Sequence, residues 1–242
     1  MAAPADITIK NLNGEWVMDA TLSDPADPIL ALQGMSWFLR KALPYATVTL
    51  HVHSYADPDP AKKGVYHIDI DQVITGGITG SSEHRVLDWE DREHVDNIFG
   101  TLSGRSRMLR GTEVEGTVRP AIEFQTNVGD PEADARVQKF LRGETLLDGS
   151  KAEGFLVDDN DEGAEFGEGK GLWAQSFVVN EEYKWTAEQI WGFEIVNGER
   201  RHTRRVAVAK EGQVELARLV YTFNARRGEG EEKGEDDLEV EY

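Results

Sequence analysis

Three groups of side chains in this chain have the types and spacing for chemistry. The first is an aromatic face. Read at period 2, Tyr183, Trp185, Ala187, Gln189, Trp191, Phe193 and Ile195 project to one side of a single strand. Aromatic rings around one amide suit an apolar ligand with a single polar handle, and they suit a packed core as well. The second is the basic run Arg200-Arg201-His202-Thr203-Arg204-Arg205 in an otherwise acidic chain. Arg205 shares a face with Ala207 and Ala209, small residues that leave room beside it. An inward guanidinium there would grip a carboxylate or enolate in fork geometry; an outward one would balance nearby acids. The third is His51 and His53 on one strand face, with His67, Asp69 and Asp71 on one face of the next. If those faces coincide they form a metal-like or acid–base constellation; otherwise they are polar residues facing solvent.

Other signals are weaker. The segment from Asp158 places Asn160, Glu162 and Gly163 as a calcium loop would, but its twelfth position is Gly169, and flanking helices are not evident. No Gly-rich phosphate loop, Gly-x-Ser-x-Gly elbow or zincin motif is present. No metal and no cofactor are therefore expected, and spacing assigns no catalytic residue.

The elements that must position these groups are mostly strands. Thr47 to Tyr55 and Val65 to Ile74 alternate, joined through Asp57-Pro58-Asp59-Pro60 and Gly64. Further strands are expected at Glu83 to Trp89, Asp96 to Leu109 and Thr117 to Thr126, where Pro120 marks an edge or a strand start. Leu172 to Val179, Tyr183 to Val196, His202 to Lys210 and Val214 to Phe223 follow, with Asn197-Gly198 a strong hairpin signal. With the strand of Trp16 this gives nine or ten, a number that closes into a barrel. Pro28 to Leu43 reads as helix, divisible at Gly34, and Pro131 to Arg142 as another. Gly143 to Gly169 is Gly- and acid-rich, too long for an ordinary turn, and reads as a flexible or functional loop.

Composition bounds the rest. At 242 residues, one β-barrel domain over 1–226 is expected, with an acidic insertion at 129–170 and a disordered acidic tail at 227–242. The net charge of −19 argues against nucleic acid and anionic membrane surfaces. Cysteine is absent, which removes disulfides and thiol chemistry. The N-terminus lacks a secretory pattern and no apolar run is long enough to span a bilayer, so a soluble, cytoplasmic protein is expected.

Gly14-Glu15-Trp16 opening a strand, the run ILALQGMSWFLRKA directly after it, and the C-terminal ladder of hairpins together resemble the intracellular lipid-binding branch of the calycins, and fungal lipocalin-like proteins in particular. The resemblance implies an all-β fold: an antiparallel up-and-down barrel of about ten strands with a helix-turn-helix lid at residues 24–43. It implies binding of a small hydrophobic molecule in the interior, or, as in some fungal lipocalin-like proteins, cofactor-free cyclisation or isomerisation of a polyene or polyketide there. The family's carboxylate-gripping Arg-x-Tyr does not carry over. Here Arg218-Leu219-Val220-Tyr221 has one residue more, which puts Arg218 and Tyr221 on opposite faces. Candidate ligand-binding residues are Trp37 and Phe38 on the lid, with His51, His67, Trp185, Gln189, Trp191, Phe193, Arg205 and Tyr221 on strands. His51-x-His53 also resembles the first cupin motif, but only Asp57 supplies the acid that should follow, and no second motif does.

Overall fold

The alternating segments form one antiparallel sheet of eleven strands in the computed structural model, which describes residues 1–157 and 164–226. The strands are β1 (Gly14–Met18), β2 (Val48–Ala56), β3 (Tyr66–Ile74), β4 (Ser82–Val86), β5 (Arg92–Asp96), β6 (Gly100–Val114), β7 (Thr117–Pro120), β8 (Lys170–Asn180), β9 (Trp185–Val196), β10 (Glu199–Lys210) and β11 (Gln213–Ala225). Neighbours run β4-β3-β2-β1-β11-β10-β9-β8-β6-β5, with β7 pairing β6 beside this path. The sheet curls until β4 faces β6, giving a nearly closed ten-strand barrel. The seam is held by one bridge between Asp88 and Arg107, by the Trp89 N–H to the Ser106 carbonyl at 2.8 Å, and by Arg85 Nη1 to Ser176 Oγ at 2.6 Å.

Local chemistry sets the register. Asn197 and Gly198 have φ of +50° and +79°, the doubly left-handed two-residue turn whose twist matches a hairpin. It pairs Trp191 with Arg204 and Phe193 with His202. Gly14 has φ +143°, and a Cβ there would stand 2.7 Å from the Phe223 ring. The Gly-x-Trp start is thus a close approach of β1 to β11. It lets Trp16 sink to 1 % exposure, with its indole N–H donating to the Leu12 carbonyl at 2.9 Å.

The expected lid is two six-residue helices, α1 (Asp27–Leu32) and α2 (Trp37–Ala42), separated around Gly34. Through Ile29, α1 packs against Trp185, Leu102 and Val208 at one barrel end. The N-terminal segment fills the other end with Ile7, Ile9 and Leu12, tied down by Arg200 to the Pro4 and Ile7 carbonyls at 2.8 Å each. The third helix, α3 (Pro131–Leu141), starts where the Asp130 side chain accepts from the Ala133 N–H. Its Val137, Phe140 and Leu141 join Phe155 on outward residues Trp173, Ile190, Ala207 and Leu216. Part of the 129–170 stretch is therefore a second layer outside the barrel wall.

Two boundaries differ from expectation. The strand expected to continue to Thr126 ends at Pro120; beyond it, Gln125 and Thr126 give their N–H groups to the buried Glu188 carboxylate at 3.1 and 2.8 Å instead of to a ladder. An additional short strand, β5, precedes β6. Among the described residues no helix is long and apolar enough to cross a membrane. The calcium-like positions Asp158 to Gly163 and the acidic tail lie outside the described residues.

Candidate functional site in the barrel interior

One packed cluster draws Trp16, Leu50, Ile68, Met108, Trp191 and Tyr221 from strands all round the sheet, and so marks the interior. Trp191, Phe193, Tyr221 and Gln189 share that inward parity, with Trp185 nearer the α1 end. The Trp191 indole N–H donates to Gln189 Oε1 at 3.0 Å. These five sequence candidates lie on the inner wall.

The polar centre of the interior is a set of residues that sequence reasoning passed over. The Arg204 guanidinium carbon stands 3.9 Å from the Trp191 ring centre and 5.1 Å from that of Tyr221. Arg204 is buried and, among the described residues, its Nε has no hydrogen-bond partner. Burial is the main influence pulling its pKa below the usual arginine value, against the attraction of Tyr221 and Glu83. Arg85, on β4, also stands over Trp191, at 5.2 Å. It is held by two bonds to Glu83 Oε2 as well as by Ser176. Burial would raise the Glu83 pKa; Arg85 and then Arg204 outweigh it and hold the carboxyl below its ordinary range. Burial raises the pKa of Tyr221, which keeps its phenol protonated.

His202 completes this wall. Its Nδ1–H donates to the Gly192 carbonyl at 3.0 Å, and Trp16, Trp191, Phe193 and Tyr221 surround the ring at 5.3 to 6.4 Å. Burial, then the charge of Arg204, brings its pKa down to about 3, so the ring is neutral at ordinary pH.

Five expected ligand contacts lie elsewhere. Arg205 faces outward, one residue out of phase with Arg204. It is fully buried beneath α3, bound to both Glu194 oxygens at 2.9 Å and to the Phe140 and Thr145 carbonyls. His51 and His67 also point outward, because the inward residues of β2 and β3 are Leu50, Val52, Ile68 and Ile70. Trp37 and Phe38 are 61 % and 80 % exposed on α2 and face away from the interior. As expected, Arg218 and Tyr221 fall on opposite faces, Arg218 outside against Glu194 and Tyr221 inside against His202. A signal for Arg204 was present. A two-residue turn at Asn197-Gly198 pairs it with Trp191, so an inward Trp191 requires an inward Arg204.

The interior is tightly filled. Beside Trp191 a narrow gap lies along the β4–β6 seam, lined by Ile68, Arg85, Leu87, Ser106 and Ser176. It is too narrow for a water molecule. A separate open crevice of about 390 Å³ lies between β6 and the strands of chain carrying Glu123 and Phe166.

No family model matches this chain. It is 30% identical over 222 residues to the "Probable pericyclase scpY" of Mollisia scopiformis, covering 92% of this chain and 94% of that protein. It is 27% identical over 225 residues to the "Pericyclase pydY" of Acremonium sp, covering 92% and 97%. Among solved structures it is similar to a Schistosoma mansoni fatty acid binding protein in complex with arachidonic acid, with a TM-score of 0.46, 11% identity and coverage of 88% and 95%. Another is the Caenorhabditis elegans lipid binding protein 8, with a TM-score of 0.45, 10% identity and coverage of 90% and 99%.

Proposed function

This chain belongs to the family of the probable pericyclase scpY, and from that premise we propose that its barrel binds a small hydrophobic, polyene-like molecule and closes a ring within it. A pericyclic step moves electrons around a ring of atoms inside the substrate. The protein's part is then to exclude water, orient the reacting ends and stabilise the charge that develops.

The observation that carries this reading is Arg204. Its guanidinium is buried against Trp191 and Tyr221, with an Nε that donates to no group among the described residues. A substrate carbonyl conjugated to the reacting π-system would accept from this guanidinium, and the hydrogen bond strengthens as negative charge gathers on that oxygen. The rings of Trp191 and Tyr221 offer flat faces to a polyene. Glu83 bears on both Arg85 and Arg204, so the two cations share one carboxylate.

The gap beside Trp191 is too narrow for a water molecule, so the closed interior has no room for a ligand there. A ligand therefore enters as the β4–β6 seam parts, where few backbone contacts oppose it.

Deleting the gene from its source organism and comparing metabolite extracts tests the reading. A linear precursor should accumulate, and purified protein added to it should restore ring closure. Arg204→Met should slow that closure about 10²- to 10³-fold, the range for losing one preorganised donor. Unchanged metabolites after deletion would leave only the carrier reading, in which the same interior holds a ligand without altering it. Quenching of tryptophan fluorescence by the tetraene cis-parinaric acid tests that binding separately.

A further inference from the structure

The outer face of β2, β3 and β4 collects four of the six histidines of the chain: His51, His53, His67 and His84. Two of them are held in an unusual pairing. Nε2 of His67 is 2.8 Å from Asp57 Oδ2, and Nδ1 of His84 is bound to Asp69 Oδ1. The remaining nitrogens, His67 Nδ1 and His84 Nε2, face each other at 3.4 Å. A carboxylate only accepts, so each imidazole must present its N–H to its aspartate. Two neutral rings held this way confront one another with two lone pairs. That arrangement requires a cation between them, either a proton or a metal ion.

We propose that His67 and His84 form a binding site for a borderline divalent cation of the zinc class on the outside of the barrel. Two nitrogens about 2.0–2.1 Å from a tetrahedral zinc stand about 3.3–3.4 Å apart, whereas adjacent ligands of an octahedral ion at that bond length stand about 3.0 Å apart. The observed 3.4 Å fits the tetrahedral edge. Each ligand already has the carboxylate partner that orients metal-bound imidazoles and raises their basicity. The Tyr55 ring stacks on His67 at 5.0 Å with planes 4° apart and fixes its orientation. The surroundings favour a cation: Asp57, Asp69 and Asp71 lie on this face, with Lys62, 3.6 Å from Asp57, and His53, 3.8 Å from Asp69, as the competing bases. Among the described residues no cluster offers three or more protein ligands to one ion, so water fills the remaining positions. The site lies outside the ligand-binding interior and does not depend on how that interior is used. It ties β3 to β4, the strand whose inner face carries Glu83 and Arg85 at the seam.

Chelator-treated full-length protein titrated with zinc chloride at pH 7.5 in a calorimeter should bind one equivalent. Binding should vanish at pH 5, because a protonated imidazole has no lone pair to give. Exposed His84→Gln should weaken it at least tenfold, Asp69→Asn about tenfold or more through the lost orienting bond, and His51→Gln should leave it unchanged. Zinc should also raise the thermal midpoint of the wild type and not of His84→Gln, whose circular dichroism checks that it folds. Absence of binding, or binding that His84→Gln leaves intact, overturns the proposal; the former means that the pair holds only a proton.

Discussion

The charge on His202 follows from what surrounds its ring. It is enclosed by four aromatic side chains and its neighbours on the inner face of β10 are Arg200 and Arg204, so a proton there has neither water nor a carboxylate to stabilise it. The folded pKa of about 3 lies below the ordinary 6.5. Between those values the unfolded chain binds a proton that the folded chain refuses, so stability is lost as pH falls through this window. From pH 7 to pH 5 the loss from this one residue is about 2 kcal/mol, taking about 1.4 kcal/mol per unit below 6.5. Urea unfolding of wild type and His202→Phe at both pH values measures it as the difference between their slopes. Equal slopes would mean that the ring is not held neutral. The same crowding explains Arg204: it is an inward cation flanked by rings, and among the described residues its Nε has no hydrogen-bond partner.

Among the elements, α3 separates stability from function. It covers the outer wall through Phe140, Leu141 and Val137, while the candidate site lies on the other side of the same strands. Phe140→Ala should destabilise the protein by about 3–5 kcal/mol, the usual result of emptying a buried phenylalanine site. It should leave the affinity for cis-parinaric acid unchanged, measured well below the unfolding transition. A large loss of affinity would place α3 in the ligand's path. The helix was legible in the sequence because Asp130 caps it and its apolar residues recur at helical spacing. What it packs on was not legible, since an amphipathic stripe states that a face is buried and not against what. The α1–α2 pair was readable for the same local reason. The outward aim of Trp37 and Phe38 was not, because α1 packs on the barrel end through Ile29 while α2 buries no residue.

For the whole molecule, the barrel and its outer layer share the strands β8 to β11, and the buried Arg205–Glu194 pair binds wall to layer through the Phe140 and Thr145 carbonyls. The two should therefore unfold together. Tryptophan fluorescence, far-ultraviolet circular dichroism and calorimetry should give coincident transitions with equal calorimetric and van't Hoff enthalpies. A separate early transition would show that the 129–157 layer detaches first. The sequence by itself determined that there is a barrel: alternation at period 2, turns such as Asn197-Gly198 and the Gly14–Trp16 start are local signals, and they fix strands and their pairing. It did not determine which face of β9 and β10 turns inward. Both faces are buried, one by the interior and the other by α3, so the contrast between apolar and polar residues that normally marks the inside is missing there. Arg204 and Arg205 were therefore indistinguishable by composition. Only the closed sheet, with a layer packed on its outside, placed Arg204 within and Arg205 in a structural ion pair. The histidines of β3 and β4 meet on the outer surface through the register of that one strand pair, which sets Asp69 opposite His84.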